Sequence, residues 1–189
     1  MSPTWSTPCT VEKFGRLDIL VNNAGICERD SIETRSLEQY DRVMGVNVRA
    51  AFQLTMLCAP HLIATRGNIV NVSSAVATRP VPGASVYCMS KSAVNQMTGC
   101  TALELASKGV RVNSVNPGVI ATDLYSCGRM SVEESAKFME QRKGIHPLGR
   151  VGDAADVAQA IAFLASGSAS FITGEHLHVD GGWHAACPR

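Results

Sequence analysis

The sequence lacks a long uninterrupted apolar run, a marked excess of either charge and any paired-cysteine motif. Its 17 Lys and Arg residues nearly balance 16 Asp and Glu residues, which gives a formal net charge of +1. This balance provides neither a basic surface for nucleic acid nor an acidic tail. No apolar stretch approaches the roughly 18 residues that a membrane-crossing helix requires. We therefore expect one ordinary domain, with no nucleic-acid partner and no membrane partner.

Cysteine usage and the first residues indicate the compartment. The seven cysteines are an odd number and include no Cys-x-x-Cys pair, which is typical of reduced and mostly buried thiols. The chain starts without the charged and apolar segments of a secretory signal. These features favour a cytoplasmic location, and a mitochondrial one stays open.

Apolar runs of strand length alternate with helical stretches along the chain. The first run, 17–21, is mostly apolar at successive positions, which is typical of a parallel strand covered on both faces. The four runs lie at 17–21, 68–73, 110–115 and 175–179. The longer helical stretches lie at about 48–64, 86–108, 132–143 and 153–165.

This alternation predicts an α/β fold with a doubly wound parallel sheet of the Rossmann type. A capping-box pattern of Ser36 and Gln39 predicts the start of a further helix. Residues 1–10 are rich in Pro, Ser and Thr, and we interpret them as a disordered leader. Residues 11–189 are then interpreted as a single domain.

A serine at a strand end precedes a tyrosine and a lysine on the following helix. Tyr87 and Lys91 are four residues apart, so a helix places them on one face. An ammonium close to a phenol lowers the pKa of the phenol, which permits proton exchange near neutral pH. A Tyr-x-x-x-Lys pair alone usually means a half-buried ring beside a solvated lysine. Ser74, thirteen residues upstream, favours the chemical interpretation because its hydroxyl could hold the same substrate oxygen.

Three further segments are candidates because ligands of open α/β sheets bind at the carboxyl ends of the strands. Asn23-Ala24-Gly25 follows the first strand, and the segment 117–122 follows the third. Asn47 interrupts a helical pattern, where asparagine is unfavourable. Each feature also has a simpler interpretation, namely a strand-to-helix turn, a turn after a strand and a polar residue at a bend.

Other polar residues do not predict a site. His176 and His178 share one face of a strand, but a metal ion would need further ligands, so no metal site is predicted. Arg79 and Arg111 are interpreted as solvated. The cysteines lack a base at useful spacing, so no thiol nucleophile is predicted.

These motifs, in this order and spacing, resemble the short-chain dehydrogenase/reductase family, in particular its oxoacyl-carrier-protein-reductase-like members. The resemblance implies hydride transfer between NAD or NADP and a carbonyl or secondary alcohol, with Tyr87 as general acid and base. It implies that Lys91 lowers the pKa of Tyr87 and holds the ribose hydroxyls, and that Ser74 steadies the substrate oxygen. The backbone of Asn47 would hold a water that relays protons to the lysine. The implied cofactor-binding positions are Asn23, Ala24, Gly25, Tyr87, Lys91, Pro117, Gly118, Ile120 and Thr122.

One motif of the family is missing from the sequence. The glycine-rich Gly-x-x-x-Gly-x-Gly turn, whose backbone amides meet the cofactor pyrophosphate, does not occur. We therefore expect an N-terminally truncated fold with a bare apolar sheet edge beside the strand at 17–21. We also expect nicotinamide cofactor binding to be weak or absent, and the choice between NAD and NADP stays open.

Two functions follow as alternatives. The first is an oxidoreductase acting on a small-molecule carbonyl or alcohol. Apolar residues within 122–150 indicate an apolar or acyl substrate, namely Leu124, Tyr125, Met130, Phe138 and Met139. The second is a catalytically inactive truncated isoform that joins full-length subunits through 48–64 and 86–108. The resemblance also implies a homo-oligomer, either a dimer or a tetramer.

Overall fold

Four parallel strands form one sheet in the computed structural model, which describes residues 9–29, 31–125 and 131–186. The strands are β1 (Ile19–Asn22), β2 (Asn68–Val72), β3 (Arg111–Pro117) and β4 (His176–Val179). Their order in the sheet is β1-β2-β3-β4, with Val21 beside Val70 and Val115 beside Leu177. Because all strands run the same way, their carboxyl ends lie at one edge of the sheet.

Helices connect the strands. They are α1 (Cys9–Phe14), α2 (Leu37–Met44), α3 (Ala50–Thr65), α4 (Ser85–Ala106), α5 (Val132–Lys143) and α6 (Ala154–Ala165). A π-helical turn at Gly45–Arg49 joins α2 directly to α3. None of the helices in the described ranges is long and apolar enough to cross a bilayer.

Local chemistry sets the ends of these helices. The Ser36 hydroxyl accepts from the Gln39 N–H at 3.3 Å, and the Gln39 side chain accepts from the Ser36 N–H at 3.1 Å. This confirms the predicted capping box at the start of α2. After α3, Arg66 takes the left-handed conformation with φ 51°, and Gly67 follows. A side chain at Gly67 would collide with the Asp18 carbonyl, so glycine is required where α3 meets the chain entering β1.

Helices cover the sheet on both faces. One face packs against α3 and α4, with Leu62 and Ile69 fully buried, and the other packs against α6, with Val70 and Leu164 buried. Neighbouring strand residues point to opposite faces, and each fully buried aliphatic side chain contributes about 1.5–3 kcal/mol. This arrangement confirms the predicted α/β fold with a parallel Rossmann-like sheet.

β1 lies at the edge of this sheet and is covered on one face only. Leu20 packs against the α3 and α4 core, whereas Ile19 and Val21 are 44% and 39% exposed. The expectation of an apolar strand covered on both faces is therefore wrong for β1. The bare apolar edge that we expected is present among the described residues.

Some boundaries differ from the sequence interpretation. Cys9 and Thr10, assigned to a disordered leader, belong to α1, which ends where Gly15 takes φ +72°. The rest of the assigned leader, 1–8, lies outside the described residues, as does Met130. The bounds of α5 agree with the predicted 132–143.

Two arginines that we interpreted as solvated bind backbone carbonyls. Arg111 donates to the Leu164 carbonyl at 2.9 Å and to the Ser166 carbonyl at 3.1 Å, at the end of α6. Arg79 donates to the Trp183 carbonyl at 2.6 Å. The last carbonyls of a helix have no partner within the helix, which is why α6 attracts a guanidinium.

Candidate active site

A cavity of about 490 Å³ opens at the carboxyl ends of β1, β2 and β3. Its position is where ligands bind in open α/β sheets, and its size lies in the usual range for small-molecule sites. Every predicted cofactor-binding position lines it: Asn23, Ala24, Gly25, Tyr87, Lys91, Pro117, Gly118, Ile120 and Thr122. Ser74 lines the cavity as well, whereas Asn47 is not among the lining residues.

The serine, the tyrosine and the lysine come together in this cavity. Tyr87 and Lys91 lie one turn apart on α4, Ser74 follows β2, and the three residues are 6%, 4% and 7% exposed. The Lys91 ammonium lies 5.8 Å from the centre of the Tyr87 ring and donates to the Val72 carbonyl at 2.8 Å. The Ser73 hydroxyl donates to the Lys91 carbonyl at 3.0 Å, which fixes α4 against the end of β2.

Burial dominates the protonation equilibria of these groups. It raises the pKa of Tyr87, the nearby Tyr125 adds to this, and the Ser74 hydroxyl acts in the opposite direction. Burial also lowers the pKa of Lys91 to about 8. The expectation that Lys91 holds the pKa of Tyr87 low is therefore not met. The ammonium donates to a backbone carbonyl, and desolvation of the phenolate by burial is the largest effect on the pKa of Tyr87.

Asn47 lies in the π-helical turn behind the cavity, where it is 2% exposed. Its Oδ1 accepts from the Ile26 N–H at 2.8 Å, and its Nδ2 donates to the Ile26 carbonyl at 2.9 Å. Nδ2 also donates to the Ser90 hydroxyl at 3.0 Å. The side chain therefore joins the turn after β1 to α4. The π-helical geometry was not predicted, and such turns are frequent at functional sites.

Gly25 keeps the wall of the cavity open beside the lysine. A Cβ at this position would lie 3.3 Å from Lys91 Nζ and 3.4 Å from Asn47 Oδ1. The backbone is thus exposed to the cavity next to a buried ammonium, with the apolar Ile120 among the other lining residues. A glycine-open wall, a cation and an apolar surface fit the nicotinamide and ribose end of NAD or NADP.

Sequence reasoning missed His146, which is 3% exposed. Its Nε2 accepts from the Val119 N–H at 3.1 Å, and its Nδ1 lies 3.1 Å from the Arg142 carbonyl. This pairing requires the neutral tautomer with the proton on Nδ1. His146 therefore connects the end of α5 to the segment 117–122. A lone histidine in a polar stretch carries no sequence signal for such a role.

The histidines of β4 make contacts that do not resemble a metal centre. His176 Nδ1 lies 2.8 Å from the Ser114 hydroxyl, and His178 stacks on His184 with ring centres 4.0 Å apart. Within the described ranges, no three His, Cys, Asp or Glu residues are placed to hold one ion.

Comparison with known proteins identifies the class. A sequence model of the family described as enoyl-(acyl carrier protein) reductase matches residues 8–184. The chain belongs to the short-chain dehydrogenase/reductase family, a family of nicotinamide-dependent oxidoreductases.

Individual relatives agree with this assignment. The chain is 43% identical to the 3-oxoacyl-(acyl-carrier-protein) reductase of Thermotoga maritima over 174 residues, which are 91% of this chain and 68% of that protein. The ligand-free aldohexose dehydrogenase of Thermoplasma acidophilum superposes with a TM-score of 0.91 at 35% identity, over 97% of this chain and 74% of the other. ElxO with NADP bound superposes with a TM-score of 0.83 at 33% identity, over 94% of this chain and 71% of ElxO.

Proposed function

We propose that this chain transfers hydride between NAD or NADP and a carbonyl or secondary alcohol, with Tyr87 as general acid and base. The observation that carries the proposal is that Ser74, Tyr87 and Lys91 are buried around one cavity at the strand ends. The named activity of the Thermotoga maritima reductase and the NADP bound to ElxO support it. Titration with NADH and with NADPH decides which of the two nicotinamides this chain prefers.

Each side chain has its own role. The Ser74 hydroxyl, which accepts from the Val76 N–H at 3.3 Å, holds the substrate oxygen beside the phenol. Tyr87 gives a proton to that oxygen in reduction and takes it back in oxidation. The bound nicotinamide supplies or accepts the hydride. Lys91 binds the ribose hydroxyls, and a water held by the Asn47 backbone relays protons toward the ammonium.

The protonation states at pH 7 suit the reduction of a carbonyl. The Tyr87 phenol, whose pKa burial raises above its ordinary value, is neutral at pH 7 and has a proton to donate. Lys91, with its pKa lowered to about 8, is still mainly an ammonium at pH 7. A neutral phenol beside a cation is suited to protonating the oxygen of a carbonyl as it becomes an alkoxide.

The test combines cofactor titration with one substitution. NADH and NADPH are titrated by their fluorescence, and weak binding is expected because the sequence contains no glycine-rich pyrophosphate turn. Reduction of methyl acetoacetate is then measured at millimolar NADPH or NADH. Tyr87→Phe should lower turnover at least about 100-fold, because general acid catalysis contributes that much or more, and should leave cofactor affinity largely intact.

Tyr40→Phe is the matched control, because Tyr40 lies on α2 and does not line the cavity. Tyr40→Phe should reduce methyl acetoacetate with the same turnover number as the natural sequence. Equal turnover in the natural sequence and in Tyr87→Phe would remove Tyr87 from the mechanism. Micromolar or tighter cofactor binding would contradict the expectation of weak affinity and leave the catalytic proposal in place.

We also propose a cytoplasmic homo-oligomer. Cys58, Cys88 and Cys100 are free thiols, which supports a reducing compartment. The outer surfaces of α3 and α4 expose large apolar side chains, which supports self-association. The comparisons do not favour the alternative of a catalytically inactive interaction partner.

A further inference from the structure

A second, smaller cavity adjoins the first on the far side of Tyr87. Its volume is about 60 Å³, and it shares Ser74, Tyr87, Gly118 and Tyr125 with the larger cavity. A group bound here would therefore belong to a molecule whose reacting oxygen contacts the serine and the tyrosine. The volume is about an eighth of that of the larger cavity. It suits a small group and not a long acyl chain.

Two arginine residues line this smaller cavity. Arg29 comes from the loop after β1, and Arg142 comes from the last turn of α5. Both act electrostatically on the Tyr125 hydroxyl, which interacts in turn with Tyr87. Two chain segments far apart in sequence thus bring positive charge to one place beside the phenol.

The positive charge is not neutralised by an ion pair within the described residues. Among the residues that the structure describes, the lining of this cavity includes no Asp and no Glu. Arg29 donates to the Pro82 carbonyl at 3.3 Å, and the Arg142 guanidinium lies 5.0 Å from the centre of the Phe138 ring. The nearby carboxylate of Glu28 is already paired with Arg42, at 2.6 Å. Both guanidinium groups therefore keep donors for an anion.

We propose that Arg29 and Arg142 form a subsite for the carboxylate of the substrate, so that the chain reduces a short oxo acid in preference to a neutral ketone. The inference rests on the proposed function for the position of the reacting carbonyl. The planar guanidinium matches a carboxylate through two parallel hydrogen bonds, and the small cavity has room for that group. The aromatic ring of Phe138 and the hydroxyl of Tyr125 border the same space.

The experiment compares acetoacetate with its neutral methyl ester, because the two differ only at the carboxylate. Binding is measured by saturation-transfer NMR without cofactor, and reduction is measured with NADPH or NADH. The natural sequence should favour acetoacetate in both measurements. Arg142→Met and Arg29→Met should each raise KM for acetoacetate about tenfold or more, as expected for a charged hydrogen bond, and change KM for the ester less than about threefold.

Lys137→Met is the matched control, since it removes one exposed positive charge from the same helix and does not line the cavity. It should leave the preference for the acid intact. Arg142→Lys keeps the charge without the planar fork and should recover part of the affinity. If Arg142→Met fails to fold, Arg29→Met, at an exposed loop position, decides the question.

The outcomes separate this inference from the proposed function. Arginine-dependent binding of acetoacetate without any reduction would support the subsite and contradict hydride transfer. Reduction of the ester with no preference for the acid would support hydride transfer and overturn the subsite. Binding of inorganic phosphate without binding of acetoacetate would overturn the assignment to a carboxylate.

Discussion

Lys91 is a buried ammonium whose protonation should affect the stability of the whole chain. Burial lowers its pKa from the ordinary 10.5 to about 8 in the folded state. In the unfolded chain it keeps its proton up to about pH 10.5, so the unfolded state binds more protons between these values. The free energy of unfolding that depends on Lys91 should therefore rise with pH between about 8 and 10.

Urea denaturation of the natural sequence and of Lys91→Met at pH 7.5 and 9.5 checks this sign. The natural sequence should gain on the order of 1–2 kcal/mol relative to the variant between the two pH values. Subtracting the variant cancels the titration of all other groups. Lys137→Met, which removes an exposed ammonium, is the control. The difference in free energy of unfolding between the natural sequence and Lys137→Met should be the same at pH 7.5 and 9.5. A pH-independent difference between the natural sequence and Lys91→Met would contradict the burial argument.

For single residues, the sequence predicts which side chains lie near each other on a helix better than it predicts their burial and pKa. The four-residue spacing of Tyr87 and Lys91 follows from helical geometry, and the structure places both side chains in one cavity. The raised pKa of the tyrosine could not be predicted, because it depends on how much chain covers the phenol. Arg29 and Arg142 could not be paired either, since 113 positions separate them and only the tertiary fold brings them together.

The π-helical turn between α2 and α3 holds the loop after β1 through one side chain. Asn47 makes both hydrogen bonds to Ile26 and one to Ser90. Asn47→Ala would leave the N–H and the carbonyl of Ile26 without these partners in a half-buried place. We expect a loss of about 2–4 kcal/mol in the free energy of unfolding, measured by urea denaturation. Hydrogen exchange at the Ile26 amide should also accelerate.

Ser36→Ala is the comparison for Asn47→Ala. It removes the helix cap of α2 and should cost about 1 kcal/mol without changing exchange at Ile26. Unchanged protection of the Ile26 amide in Asn47→Ala would show that the loop is held by other contacts.

Among the elements, regular helices and strands follow from local signals, whereas the π-helical turn does not. The capping box of Ser36 is a local feature, and it was predicted. The extra residue of the π turn is stabilised by hydrogen bonds of Asn47 to Ile26, 21 residues away in the sequence. In the sequence, the only indication of such a turn is a polar residue, Asn47, within a helical pattern.

On the surface of the molecule, several large apolar side chains of α3 and α4 are exposed. Both helices pack on the same face of the sheet, so their outer surfaces face solvent together. The exposed apolar residues are Phe52, Leu54, Met56, Leu57, Met89 and Leu103. Apolar patches of this kind mark protein–protein contacts, and we expect them to be buried between copies of this chain.

Sedimentation velocity at tens of micromolar tests the assembly, and the natural sequence should sediment as a dimer or tetramer. Met56→Glu and Leu103→Glu place a carboxylate in the apolar contact, where its desolvation is unfavourable, so each should shift the population to smaller species. Leu37→Glu makes the same change at the start of α2, where the residue is 77% exposed and a negative charge suits a helix N-terminus. It should leave the assembly intact. A monomeric natural sequence, or unchanged mass in both α3 and α4 variants, would mean that this surface does not mediate self-association.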